Sequence, residues 1–120
     1  MVIRKTLSSE KIRKARFGVR LVRDKEIRRI NKKFLKHDYA TDVISFSYGE
    51  PDYLGDLVVS VDTARRLSRE LGISYKEELA RYLVHGTLHL LGYDDKAPKH
   101  KAKMFKRQEA ILKKCAKEIS

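Results

Sequence analysis

His85 and His89 stand four residues apart in a stretch whose apolar residues recur with helical spacing. At that spacing both imidazoles lie on one face of the helix, about 40° apart around its axis and one turn apart along it. A helix offers two nitrogen ligands to a single metal ion in this way. Gly92 then suits the positive φ that ends a helix, and the chain doubles back through Tyr93 so that Asp94 or Asp95 can approach the same ion. A bare histidine pair at this spacing is commonplace in buried or surface helices. The glycine turn and acidic pair directly behind it change the reading to metal binding. Three protein ligands with an open fourth position describe a catalytic site rather than a structural one.

The residue after the first histidine narrows the chemistry. A zinc protease carries a glutamate there as general base, whereas this chain has Gly86, which has no side chain. Peptide hydrolysis by that route loses its base. Glycine inside a helix costs about 1 kcal/mol relative to alanine, so close packing or substrate approach has to justify it. A sheet strand lying tightly beneath the helix would do so equally well.

Several elements must position these residues. A first helix is expected over Ser8 to Arg16, capped by Ser8 or Ser9, followed by a strand at Phe17 to Arg23 with one face buried. Asp24 should cap a second helix that carries Ile27, Ile30 and Phe34 on one side and ends near Lys36. Val43 to Tyr48 and Leu57 to Val61 read as strands separated by a loop containing Gly49, Pro51 and Gly55. Asp62 should cap a third helix ended by Gly72, and Ser74 with Glu77 has capping-box spacing at the head of a fourth. That fourth helix, about Tyr75 to Leu91, carries Leu79, Tyr82, Leu83, Thr87, Leu88, Leu90 and Leu91 and should be largely buried. A final amphipathic helix, Pro98 to Ile119, should turn Met104, Phe105, Ile111 and Leu112 inward and a lysine face outward. The order argues an α+β fold, with a small mixed sheet packed by helices around the histidine-bearing one.

A chain of 120 residues is the size of one small domain, so residues 1–120 are read as a single unit. Charged residues interrupt the first 20 positions, so neither a signal peptide nor a membrane anchor fits. A lone cysteine, Cys115, cannot make an internal disulfide, which points to a reducing cytoplasm. With one Asn, one Gln and 37% charged residues, the composition is similar to that of heat-adapted proteins. The net charge of +12 is unevenly spread: 14 basic against 3 acidic residues over 1–36, 5 against 11 over 37–95, and 9 against 2 over 96–120. Basic ends attract polyanions and supply phosphate contacts without reading sequence.

Four ordered blocks extend the reading. Ile30-Asn31, Thr41-Asp-Val-Ile-Ser-Phe46, Leu54-Gly-Asp-Leu-Val-Val-Ser60 and His85-Gly-Thr-Leu-His-Leu-Leu-Gly-Tyr-Asp-Asp95, with Met104 and Glu109 behind them, resemble the YbeY family of bacterial rRNA-maturation endoribonucleases over roughly residues 20–112. The resemblance implies a zincin-like α+β fold and one zinc ion. It also implies cleavage of single-stranded RNA in 16S rRNA 3′-end maturation and ribosome quality control, with rRNA, the ribosome or ribosomal proteins as partners.

The family's third ligand is usually a histidine six residues after the second, a position held here by Asp95. The expected ligand and catalytic set is therefore His85, His89 and Asp95, with Asp94 supporting and His100 a substitute. A carboxylate still ligates zinc, but it hardens the site toward manganese or magnesium. Relatives usually carry an arginine after the aromatic residue at 34; here it is Leu35, so Lys36 or His37 would supply the charge. Thr41, Asp42 and Ser45 are candidates to line the cleft by resemblance, or else a turn cap and strand-edge hydrogen bonds. Arg65, Arg66 and Arg69, with Lys36, can guide an RNA strand, or form a solvated face. The chain before Phe17 is shorter than in typical relatives, which open with a further strand. Two readings compete with the nuclease: a non-catalytic ribosome-assembly factor with a structural metal, and a metal-dependent hydrolase of another substrate.

Overall fold

Among the described residues, six helices and three strands follow one another as α1 (Val2–Ser9), β1 (Arg16–Val22), α2 (Asp24–Leu35), β2 (Val43–Phe46), β3 (Tyr53–Ser60), α3 (Val61–Leu71), α4 (Tyr75–Leu90), α5 (Pro98–Lys114) and α6 (Ala116–Ile119). The computed structural model describes residues 2–12, 15–50 and 52–119. Pro51, expected in a loop, lies outside them, as do Arg13 and Lys14 of the expected first helix. The α+β class and small mixed sheet are as expected. The strand order is β1-β3-β2, with β1 parallel and β2 antiparallel to the central β3. No helix among the described residues is long and apolar enough to cross a membrane.

Alternation along β3 divides the core. Leu57 and Val59 face α1 and α4 together with Ile3, Leu7 and Tyr82, while Val58 faces α2 with Val22, Ile27 and Ile44. A third cluster joins α4 to α5 through Ala80, Val84, Leu88, Met104, Ile111 and Leu112. The helix α4 thus meets the core on both sides, as its apolar circumference requires.

Several expectations change. The first helix runs over Val2–Ser9 instead of Ser8 to Arg16, because Val2, Ile3, Thr6 and Leu7 make a buried stripe and Lys11, at φ 62°, breaks the chain's direction. The strand β1 forms, yet Val19 and Leu21 stay 40% and 54% exposed, since it lies at a sheet edge. Phe34 and Phe105 also remain exposed although their spacing put them inward. The last helix breaks at Cys115. Gly72 and Ser74 take the capping roles expected of them.

The aspartates at the heads of α2 and α3 exchange duties. Ser60, not Asp62, caps α3, accepting from the Thr63 backbone N–H. Asp62 instead reaches across to accept from the Asp24 N–H at 2.9 Å and from Arg23 Nε at 2.7 Å. In return the Asp24 carboxylate accepts from Ser60 Oγ at 2.6 Å, Thr63 Oγ1 at 2.7 Å and Arg66 Nη1 at 3.1 Å. The two helix heads are thereby locked together at the end of β3.

Glycine 86 has its justification in packing. A Cβ there would lie 2.8 Å from Leu57 Cδ2, 3.0 Å from Val43 Cγ2 and 3.2 Å from Ser45 Oγ, and the Ser45 hydroxyl donates to the Gly86 carbonyl at 2.9 Å. The strands press against the helix where no side chain intervenes.

Two predictions follow from these contacts. Gly86→Ala gains about 1 kcal/mol of helix propensity, but overpacking against the buried Leu57 and β-branched Val43 costs about 1 to 3 kcal/mol, so urea unfolding should show a net loss. For Asp24, burial raises the carboxyl's pKa, but the hydrogen bonds from Ser60, Thr63 and Arg66 outweigh it and hold the group below the usual carboxylate range. Its stabilisation is therefore present above the unfolded-state pKa and disappears as pH falls through the folded one. Asp24→Asn should cost about 1 to 3 kcal/mol at neutral pH, with the gap from the wild type narrowing in acid denaturation series.

Candidate metal centre

The helix α4 places His85 and His89 with ring centroids 4.7 Å apart, nearly perpendicular. At its C-terminus Gly92, at φ 103°, receives the chain: its N–H donates to the His89 carbonyl and that of Tyr93 to the Leu88 carbonyl, a Schellman-type close. The reversal brings Asp95 Oδ2 to 4.0 Å from His89 Nε2. One potential ligand atom from each of His85, His89 and Asp95 lies within 4.8 Å of the others. Ligand atoms about 2.0–2.2 Å from a shared tetrahedral ion stand some 3.4 Å apart. The Asp95 side chain is 52% exposed and can make the small adjustment required.

Hydrogen bonding prepares both rings. His89 Nδ1 lies 3.0 Å from the Tyr93 carbonyl, which can only accept, so Nδ1 carries the proton and Nε2 keeps its lone pair. His85 Nδ1 lies 2.7 Å from Gln108 Oε1, again an acceptor, with the same consequence. Neutral imidazoles whose Nδ1–H is held by a carbonyl, leaving Nε2 bare, suit metal ligation. Burial, and then the adjacent His85, hold the His89 pKa below the ordinary imidazole range despite Asp95 and Asp94 nearby. Asp94 takes another role: it accepts from the Lys96 N–H and pairs with His100 at 3.0 Å, so His100 stands outside the cluster.

A cavity of about 260 Å³ opens beside His85 and Asp95, walled by Leu67, Tyr82, Met104 and Phe105, with Asp42, Arg81 and Lys101 at its polar margin. Among the substrate candidates read from sequence, Asp42 lines it, and Thr41 donates to Asp42. Ser45 lies beneath α4, bonded to Gly86. Lys36, Arg65, Arg66 and Arg69 do not line the cavity: Lys36 closes α2, Arg65 covers the Tyr75 ring, Arg66 pairs with Asp24, and Arg69 sits in the last turn of α3.

Sequence reasoning missed Gln108, Arg81 and Tyr82. The signal for Gln108 was available, since it is the chain's one glutamine and shares a helical face with Met104, Ile111 and Leu112. A buried amide on an apolar stripe requires a partner.

Tyr82 is 4% exposed, and its hydroxyl has no hydrogen-bond partner among the described residues. Burial, and then the Glu78 carboxylate close by but outside hydrogen-bond geometry, push its phenol well above the usual range. Tyr82→Phe removes an unsatisfied polar atom, so its melting temperature should equal or exceed that of the wild type; a loss of more than about 1 kcal/mol in calorimetry would show that the hydroxyl is bonded in solution.

Comparison with known proteins agrees with this architecture. Residues 1–116 match the family model described as Endoribonuclease YbeY. The chain is 42% identical over 118 residues to Endoribonuclease YbeY of Aquifex aeolicus, covering 94% of this chain and 79% of that protein. It is 41% identical over 111 residues to that of Bacillus licheniformis, covering 82% and 70%. It is 46% identical over 99 residues to that of Myxococcus xanthus, covering 77% of this chain but 34% of the relative, so it spans only about a third of that protein's length. A solution structure from Thermotoga maritima superposes with a TM-score of 0.73 at 30% identity, covering 98% of this chain and 78% of that one. With a match that runs through both histidines, Asp95 and Gln108, the chain belongs to the Endoribonuclease YbeY family.

Proposed function

We propose that residues 1–120 form one zinc-dependent endoribonuclease domain that cleaves single-stranded RNA, with His85, His89 and Asp95 as ligands. Its setting in this reading is 16S rRNA 3′-end maturation and ribosome quality control in the cytoplasm. The observation that carries the metal assignment is the pair of imidazoles, each with Nδ1 committed to a carbonyl, converging with a carboxylate on a half-exposed patch. Three protein donors are the usual count for catalytic zinc. The Asp95 oxygen is a harder ligand than imidazole and keeps manganese or magnesium as alternative occupants. The family's name supports RNA as the substrate.

A divalent ion bound there supplies Lewis acidity, neutralising charge that develops on the scissile phosphate and promoting deprotonation of an attacking water or 2′-hydroxyl. The chain's own residues do the rest. Gln108 and the Tyr93 carbonyl keep the imidazole protons on Nδ1, away from the ion. Lys101 offers a phosphate contact at the cavity margin, and the 61% exposed Phe105 offers a surface on which a base can stack. Asp42, steadied by Thr41 and the Val43 N–H, faces the same space. The basic residues at 1–36, Lys36 among them, and at 96–120, together with Arg65 and Arg69, provide a field that draws in the polyanion. Peptidase action is disfavoured, since Gly86 provides no base and the one glutamate lining the cavity, Glu78, is paired with Arg81 at 2.9 Å.

The test uses purified wild type and His89→Ala with labelled single-stranded RNA, with and without chelator, and circular dichroism on each. Cleavage should cease with chelator and fall at least about 100-fold in a folded variant, given that loss of even an outer partner of a ligand costs 10–100-fold. A wild type that cleaves nothing and unfolds when its metal is removed would instead identify a structural ion, and with it the assembly-factor reading.

A further inference from the structure

Gln108 settles the tautomer of His85 only if its amide oxygen, and not its amide nitrogen, faces the ring. A reversed amide would present an N–H₂ group, and His85 Nδ1 would have to accept, moving the ring proton to Nε2 and removing the lone pair a metal needs. The two orientations have nearly the same shape, so packing alone does not choose between them.

The structure contains an arbiter. Gln108 Nε2 donates to Glu109 Oε2 at 2.9 Å, and an ionised carboxylate can only accept. Glu109 is itself held: Arg81 Nε donates to its Oε2 and Arg81 Nη2 to its Oε1, both at 3.0 Å, a bidentate fork. The same guanidinium reaches Glu78 at 2.9 Å and Glu77 at 3.2 Å, so α4 clamps it from one side while α5 receives it. Arg81 holds the Glu109 carboxyl below its usual range, which keeps it an acceptor. Neither Arg81 nor Glu109 hydrogen-bonds an imidazole among the described residues.

We infer that the Arg81–Glu109 pair fixes the direction of the Gln108 amide and thereby holds His85 as the Nδ1–H tautomer, making Arg81, Glu109 and Gln108 positioning residues for the metal centre. The polar chain runs from α4 out to α5 and back to α4: Arg81 to Glu109, Glu109 to Gln108, Gln108 to His85, one helical turn after it began. Its purpose rests on the metal reading above, but its first readout does not.

The experiment compares wild type, Glu109→Gln, Gln108→Leu and the double variant Gln108→Glu/Glu109→Gln. In metal-free protein with ¹⁵N-labelled histidine, nitrogen shifts at about pH 8, where an ordinary imidazole is neutral, report the His85 tautomer whether or not the chain cleaves RNA. Zinc affinity is then measured by competition with a chromophoric chelator. The wild type should be the Nδ1–H form. Glu109→Gln should give a tautomer mixture and bind zinc about tenfold or more weakly. The double variant should restore both, because a carboxylate at 108 has no reversed orientation. Gln108→Leu, which leaves the Arg81 pair intact and suits the buried site, should also give a mixture and weak binding. Wild-type tautomer and affinity in Glu109→Gln or Gln108→Leu would overturn the inference and leave the network a purely structural clamp, as would a double variant that rescues neither. Correct tautomers in a protein that fails to bind zinc would overturn the metal reading alone.

Discussion

The absent side chain at residue 86 is the constraint from which the rest of the structure can be followed. With Leu57, Val43 and Ser45 all within about van der Waals reach of where a Cβ would be, α4 is held against the sheet on one narrow strip, and that strip sets the helix's rotation. His85, one residue earlier, points about 100° from the sheet direction, and His89, three residues later, about 60° from it on the same side. Both rings therefore emerge at the rim of the helix–sheet interface, where burial lowers the His89 pKa and both remain open enough to meet a ligand. Had the strip been one residue later, both histidines would have pointed about 160° away from the sheet, off the interface altogether.

Much of this was legible in the chain because it rests on local chemistry. Periodicity marked α2 to α5 and all three strands; Gly72, Ser74 and Gly92 marked their ends through backbone requirements that few other residues meet. His85, His89 and the acidic residues behind Gly92 were legible because a helix and a tight turn bring sequence neighbours together. What failed was non-local. Asp62 has the composition of a cap for its own helix but serves another one, 38 residues upstream, and nothing in the flanking residues records that. Phe34 and Phe105 have inward spacing yet stay 58% and 61% exposed, because whether a neighbouring element covers a position is set by tertiary packing and not by its own helix. The partners of His85 were likewise illegible, since Gln108 lies 23 residues away and its orientation depends on Arg81.

The charges show a division of labour. Several acidic side chains in the middle of the chain are engaged internally, Asp38 by Arg28, Asp62 by Arg23, and Glu77 and Glu78 by Arg81. Their partners come from the same fold, so these negative charges are balanced at short range, while the unbalanced positive charge is concentrated in the segments at either end. Exposed pairs such as Arg28 with Asp38 add little to stability. Their larger effect is on the potential around the molecule, which they leave positive.

Glu10, just past α1, accepts from Arg107 of α5 at 2.7 Å and from the Tyr93 hydroxyl at 3.0 Å, while Arg107 also reaches the Ser9 carbonyl. Tyr93 is the residue whose carbonyl orients His89. The turn that forms the centre is thus fastened to a helix more than eighty residues earlier in the chain. In hydrogen-exchange terms, the amides of α1 and those of the 88–93 turn are expected to open together, so that a fluctuation releasing the first helix would also loosen the second histidine.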